Sequence, residues 1–129
     1  MSQVSNAKLE LVLQQDGNVD VKVSYDARFS TSERHWSGLG LIFLERILVF
    51  GVDVTESELL TTFIPLSLPV TDGDVPQIIT RQRSSTVPRD VLNEDAFGAD
   101  QIRCEIRIEP RNFPPRIGRA LTNTVELNA

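Results

Sequence analysis

The sequence predicts an all-β domain, an antiparallel β-sandwich of about seven or eight strands, with an immunoglobulin-like Greek key as the favoured topology. Apolar and polar residues alternate along much of the chain, which is the period of a half-buried strand. Turn-forming residues recur roughly every 8–14 residues, and no long helical stretch could connect parallel strands. The Cys…Trp…Cys pattern of true immunoglobulin domains is absent, so the prediction concerns the architecture and not family membership.

Two alternating stretches near the N-terminus predict a β-hairpin. Leucines occupy every second position of residues 8–13, and residues 19–29 alternate between apolar and polar side chains. Asp16 and Gly17 lie between the two stretches and favour a tight turn, because glycine adopts a positive φ without steric cost. We therefore expect an antiparallel pair with one face in water.

Residues 41–53 admit two interpretations. Apart from Glu45 and Arg46 the stretch is apolar on both faces, as in a central strand, although an apolar helical stripe can also be traced through it. Its β-branched and aromatic residues and the flanking glycines favour the strand. The two charged residues in the middle then suggest a β-bulge.

Shorter elements are predicted in the rest of the middle. Residues 59–67 form a strand that Pro65 splits or confines to a sheet edge, because proline cannot donate a ladder hydrogen bond. Residues 77–84 form the next strand. Residues 87–100 are expected to be a loop, with at most one short helix within residues 89–97.

The C-terminal part predicts two further strands. Residues 102–108 place isoleucines and a cysteine on one face and charges of alternating sign on the other, and Pro110 ends that strand. The connector, residues 110–120, has three prolines and a glycine and is too rich in helix breakers to be helical. Residues 121–127 alternate again and read as the last strand.

The chain length indicates one domain. A chain of 129 residues builds one ordinary hydrophobic core, whereas two independent domains would each be too small. Residues 1–6 are expected to be a disordered tail, and residues 7–129 a single β-sandwich domain.

The charge and cysteine content limit the classes of binding partner and the cellular compartment that we expect. Thirteen basic and 18 acidic residues give a net charge of −5, which argues against nucleic-acid binding, because that needs a concentrated basic face. No secretory leader is visible, and the longest apolar stretch contains Glu45 and Arg46, so no membrane insertion is expected. Cys104 has no second cysteine to pair with, which suits a cytoplasmic protein.

Two single residues invite a catalytic interpretation. His35 is the one histidine and follows several serines, so a hydrolase that uses it as a base is conceivable. The competing and preferred interpretation places His35 and Trp36 at the end of the long second strand, without catalysis. Cys104 lies among isoleucines on the inferred inner face, where a thiol is inert.

Acidic residues near predicted turns suggest a second kind of site. Asp53, Asp72 and Asp74 are candidate calcium ligands, because calcium prefers hard oxygen ligands and β-sandwich loops can supply them. The segment Asp72-Gly-Asp74 lacks the full spacing of a calcium-binding loop. A solvated turn is therefore the more ordinary explanation.

Arginine is distributed unevenly. Eleven of the 13 basic residues are arginine; residues 1–75 carry a net charge of −6 and residues 76–129 a net charge of +1. Guanidinium groups bind carboxylates in a bidentate manner. The acidic first part of one molecule is therefore complementary in charge to the arginine-rich second part of another. This asymmetry favours a protein partner or self-association, although codon usage alone could also produce it.

These observations lead to three functional hypotheses. The first is a non-enzymatic interaction or structural module, an accessory subunit or homo-oligomer without a cofactor, whose binding residues are His35, Trp36, Arg111, Arg116 and Arg119. The second is a calcium- or small-ligand-binding domain that uses the acidic loops. The third, and the least favoured, is a hydrolase that uses His35.

Overall fold

A computed structural model describes residues 3–52, 57–92, 100–111 and 118–127 of the chain. Most of these residues lie in strands. The elements in chain order are β1 (Gln3–Leu13), β2 (Asn18–Phe29), α1 (Thr31–Gly38), β3 (Phe43–Val52), β4 (Ser57–Thr62), β5 (Leu66–Ser67), β6 (Gln77–Pro88), α2 (Arg89–Leu92), β7 (Asp100–Pro110), β8 (Gly118–Leu121) and β9 (Val125–Leu127).

The strands form two antiparallel sheets that enclose one core. The smaller sheet has the order β1-β2-β6, and the larger has the order β4-β3-β7-β8, with β5 pairing with β3 and β9 pairing with β7. The inward residues of β2, β3 and β7 make up most of the core. The predicted antiparallel β-sandwich is therefore confirmed.

The N-terminal hairpin is present as predicted. Leu13 pairs with Val19 across a short turn, in which Gly17 adopts a φ of 87° that favours glycine. Every second residue of β2 is buried. β1 begins earlier than expected, because residues 3–5, part of the expected disordered tail, pair with the end of β2.

Polar side chains tie the smaller sheet together on its outer face. Asp26 of β2 accepts hydrogen bonds from Asn6 of β1 (2.7 Å) and from Thr80 of β6 (2.8 Å). These two bonds stabilise the charged carboxylate and hold the pKa of Asp26 below its usual value. Near the other end of β2, Asp20 likewise accepts hydrogen bonds from Gln14, in the turn after β1, and from Thr86 of β6.

Residues 43–52 form a strand, not a helix, and the expected β-bulge at Glu45–Arg46 is wrong. β3 pairs with β7 in an unbroken register from Phe43 to Val52. The two charged residues interrupt the apolar pattern for another reason. Glu45 points into the core and is buried there, whereas Arg46 lies on the outer face, 3.1 Å from Glu109.

The remaining strands follow the predictions with local differences. β4 ends at Thr62 and β5 begins at Leu66, so the stretch containing Pro65 is split as expected. β6 extends to Pro88, further than predicted. The final segment forms two short strands instead of one, because Thr122 exchanges hydrogen bonds with Cys104 between β8 and β9.

The immunoglobulin-like topology stays a prediction. In the constant-type immunoglobulin arrangement the fourth strand of the chain pairs beside the fifth, at the edge of a four-stranded sheet. Here β4 and β5 both pair with β3, and no described strand pairs with the outer edge of β6.

At the opposite edge of the smaller sheet, β1 is bonded by a side chain. The side chain of Asn123 accepts a hydrogen bond from the Leu9 amide (2.8 Å) and donates one to the Leu9 carbonyl (3.4 Å).

Candidate functional site

Helix α1 carries His35 and Trp36, so their placement at the end of a long strand is wrong. The helix begins with a capping box, in which the Ser30 hydroxyl accepts from the Glu33 amide (3.2 Å) and the Glu33 carboxylate accepts from the Ser30 amide (2.9 Å). Gly40 follows the last turn with a φ of 106°, a conformation that glycine adopts without strain. The Ser-x-x-Glu spacing was the signal in the sequence that could have revealed this helix.

Arg34 fastens the helix to the loop before β6. Its guanidinium donates to the carbonyl oxygens of Thr71 (2.8 Å), Asp72 (3.1 Å) and Val75 (2.8 Å). Gly73 lies directly against this guanidinium, where an added Cβ would overlap it. The Ser37 hydroxyl adds a bond to the Val70 carbonyl (2.6 Å). The loop and the helix are therefore joined by several hydrogen bonds.

This attachment brings together residues from two of the sequence hypotheses. The His35 Nε2 atom lies 3.3 Å from the Asp74 Oδ1 atom, and both side chains are largely exposed. Asp72 packs against the backbone of Gly38, where an added Cβ would approach its side chain to 2.8 Å. The two aspartates thus take different neighbours on α1, although the sequence grouped them as ligands of one ion.

Apolar side chains project from the same end of the sandwich. Leu39 is 87% exposed, and Trp36 and Ile42 are each 37% exposed. Backbone hydrogen bonds connect this segment, since the Trp36 carbonyl accepts from the Leu41 amide (3.0 Å) and the Ile42 carbonyl accepts from the Arg111 amide (2.7 Å). We call the surface formed by Trp36, Leu39, Ile42 and Arg111, with the His35–Asp74 pair beside it, the α1 end.

The other predicted site residues are not part of the described α1 end. Asp53 and Arg116 lie outside the residues that the structure describes. The backbone of Arg119 lies in β8, opposite Arg107 of β7. Within the described ranges no three histidine, cysteine, aspartate or glutamate side chains gather as a metal site would require. The calcium hypothesis stays a prediction.

A buried polar cluster between the sheets was missed by the sequence analysis. The Glu45 carboxylate accepts hydrogen bonds from the Tyr25 hydroxyl and from the Arg83 guanidinium, and Arg81 Nε lies 3.8 Å from it. Burial, and then the bond to the carboxylate, raise the pKa of the Tyr25 hydroxyl well above its usual value. Tyr25 therefore stays a neutral donor. We call Tyr25, Glu45, Arg81 and Arg83 the intersheet cluster.

The parity of the strand positions was the missed signal for the intersheet cluster. Glu45 shares its alternation with the inward residues Phe43 and Ile47, and Arg81 and Arg83 share theirs with Val87, the buried residue of β6. The strand period assigns all three charges to the inner face.

Cys104 and His35 offer little for nucleophilic chemistry. Burial raises the pKa of the Cys104 thiol to about 12, so the reactive thiolate is not populated near neutral pH. Among the described hydrogen bonds, His35 joins Asp74, and Ser37 donates away from it to a backbone carbonyl. A serine nucleophile activated by His35 would need its hydroxyl at that imidazole.

Comparison with known protein families, with characterised proteins and with solved structures yields no significant match. None of the helices in the described parts of the chain is long and apolar enough to span a bilayer.

Proposed function

We propose that the protein is a non-enzymatic β-sandwich interaction module that binds a protein partner through the α1 end. The observation that carries this proposal is the exposure of Trp36, Leu39 and Ile42 together at one end of the sandwich. Exposed apolar residues that lie together, with charged groups beside them, are typical of protein interaction surfaces.

The hydrogen bonds that hold this surface in place support the proposal. Arg34 hydrogen-bonds three backbone carbonyls of the adjoining loop, and the capping box fixes the start of the helix. A preorganised surface loses less conformational entropy on binding than a mobile one. Tryptophan and arginine, both present here, are the residue types that contribute most often to the binding energy of protein interfaces.

The hydrolase and calcium hypotheses receive less support from the geometry. The His35–Asp74 pair is largely exposed and no described serine hydroxyl bonds to the imidazole, whereas triad catalysis needs a nucleophile and oxyanion donors around it. Asp72 and Asp74 are two carboxylates with separate neighbours, and calcium takes six to eight oxygen ligands. A role as an accessory subunit or homo-oligomer in the cytoplasm is part of the same proposal.

The experiment is affinity capture from native cell extract with the immobilised chain and two variants. Leu39→Ser removes the most exposed apolar side chain of the α1 end. Leu13→Ser is the matched control, because Leu13 is also an exposed leucine but lies at the hairpin turn. We expect the specifically retained proteins to be lost with Leu39→Ser and kept with Leu13→Ser. An identical set of proteins on all three matrices would contradict the proposal.

Sedimentation of the purified chain at tens of micromolar tests the homo-oligomer. Self-association through the α1 end predicts a dimer for the wild type and for Leu13→Ser, and a monomer for Leu39→Ser. A monomer in all three samples removes self-association and leaves a different protein as the partner.

A further inference from the structure

The outer side of β6 forms one edge of the smaller sheet. β6 pairs with β2 along its whole length, from Gln77 to Pro88, and in the described ranges no strand pairs with its other side. The larger sheet is wider, with β4 and β5 beyond β3. The peptide groups along the free side of a twelve-residue strand are a template for another strand.

The inner side of this edge has an excess of positive charge. Arg81 and Arg83 both face inward from β6, and both meet the single carboxylate of Glu45. Arg83 is well satisfied, because it bonds Glu45 and also donates to the Ile64 carbonyl (2.9 Å). The Nε atom of Arg81 is buried, has no hydrogen-bond acceptor among the described residues and lies 3.8 Å from Glu45.

An apolar shelf lies beside the same edge. Ile64 is 78% exposed, although its carbonyl is in contact with Arg83 of β6. Leu66 of β5 is also exposed, and its pairing with Glu45 places it on the inner face of the larger sheet. On the outer face of β6, the exposed side chains from position 78 to position 86 carry no charge to oppose an incoming strand.

A second copy of this chain fits the edge poorly in the registers that pair most of β6. A symmetric antiparallel pairing that keeps inner faces together must centre on a residue of β6. Centring it on position 81, 82 or 83 puts an arginine directly opposite an arginine of the other copy. Like charges directly opposite one another destabilise a sheet. The occupant that complements this edge is a strand with carboxylates on one face.

We propose that the β6 edge binds an extended acidic segment of another protein by strand addition. Its main chain continues the smaller sheet as a fourth strand, and carboxylates on alternate residues face Arg81 and Arg83. Inward-facing residues of the segment beyond those two positions are apolar and cover the shelf formed by Ile64 and Leu66. This surface is distinct from the α1 end, so it adds a second binding function to the proposed one.

Fluorescence anisotropy with a nine-residue labelled peptide that alternates valine and glutamate tests the charge recognition. We expect saturable binding at low salt that weakens as salt is added. Replacing every glutamate by glutamine should weaken binding at least about tenfold, since it removes charge-assisted hydrogen bonds. Absence of saturation up to millimolar protein, or equal binding of the glutamine peptide, would overturn the proposal.

Variants of the protein locate the site. Arg81→Gln should weaken binding of the glutamate peptide about tenfold or more, whereas Arg28→Gln should not, because Arg28 is an exposed arginine on the outer face of β2. If Arg81→Gln is poorly folded, Arg81→Lys is the second test. It keeps the positive charge and should therefore retain part of the affinity for the glutamate peptide. Equal affinity of Arg81→Gln and the wild type would contradict the role of this residue.

Backbone methylation distinguishes strand addition from loose charge attraction. Two versions of the peptide carry N-methyl groups on the odd or on the even residues, and only alternate amides of an added antiparallel strand bond to β6. One version should lose binding at least tenfold and the other should retain it. Retention by both versions would overturn strand addition.

The failures of the two proposals are distinguishable. Partner capture by the α1 end is tested by comparing Leu39→Ser with Leu13→Ser. Peptide binding at the β6 edge is tested by comparing Arg81→Gln with Arg28→Gln. A concentration-dependent dimer that Arg81→Gln abolishes would show that a second copy, not an acidic segment, occupies the edge, and would overturn this inference.

Discussion

Glu45 brings one negative charge into the space between two β-sheets, where a hydroxyl and two guanidinium groups surround it. Its side chain is fully buried, and that of Arg83 is nearly so. A buried carboxylate is costly unless it is paired, and a buried cation deprived of its partner is equally costly. The intersheet cluster therefore stabilises the fold only as long as its buried charges remain paired with one another.

Replacing Glu45 by Gln should lower the free energy of unfolding by about 3 kcal/mol, because both arginines lose their counterion in a desolvated place. Tyr25→Phe should cost about 1 kcal/mol, since it removes one hydrogen bond and leaves the ion pair. Urea denaturation measures both. Glu10→Gln on the exposed face of β1 is the control and should change little. A loss for Glu45→Gln no larger than that for Glu10→Gln would contradict this account.

Single residues were predictable where local pattern determines their place. The alternation along β2 and β7 placed Tyr25 and Cys104 inside correctly. The alternation of strand positions also indicates that Glu45 faces inward. A charged residue within an apolar strand suggested a β-bulge instead. The partners of Glu45 could not be predicted, because Tyr25 and Arg83 are separated from it by 20 and 38 residues and no local pattern links them.

Helix α1 shows how a short element can be stable without an apolar stripe. It has eight residues, and its single buried residue is Glu33, a capping residue. Helices this short are marginal on their own. Its stability comes from its cap at Ser30 and from Arg34 and Ser37, which bond to the neighbouring loop.

Ser30→Ala should lower the free energy of unfolding by about 1 kcal/mol, the usual effect of losing a helix N-cap. Ser32→Ala is the matched control, because Ser32 is an exposed serine within the same helix. The midpoint of a urea transition measures both variants. If Ser32→Ala shifts the midpoint as far as Ser30→Ala does, the capping box does not stabilise the protein.

At this scale the strands were predicted from their period, whereas the helix was missed, because its local signal was the Ser30–Glu33 capping box alone. A period of two is visible over eleven residues in β2, whereas α1 offers no apolar period that would distinguish it from a loop. The apposition of α1 and residues 71–75 depends on contacts between positions 37 to 41 residues apart in the chain. The α1 end was therefore predicted only in part, as His35, Trp36 and Arg111 without their common surface.

At the scale of the whole molecule, the two proposed binding surfaces lie at the margins of the core. The interior between the sheets is filled by apolar side chains and the intersheet cluster. The α1 end and the β6 edge lie outside this core, so partners can be bound without unfolding the sandwich.

The melting temperature should be the same in millimolar calcium and in EDTA. A ligand that binds only the native state must raise it, and Asp72 and Asp74 supply too few oxygens in their present positions. Differential scanning calorimetry provides the measurement. A rise in calcium that EDTA reverses and that Asp72→Asn abolishes would instead establish the calcium hypothesis.

The Asn123 amide bonds to β1 as a peptide group of a further strand would, through both its oxygen and its nitrogen. The chain thereby occupies the β1 edge at Leu9, whereas no described strand pairs with the outer side of β6. Continuous edge-to-edge growth needs two open edges on every copy of that sheet. Because a strand added at β1 would have to displace Asn123 from Leu9, the smaller sheet is better suited to end a β-structure at β6 than to propagate it into a fibre.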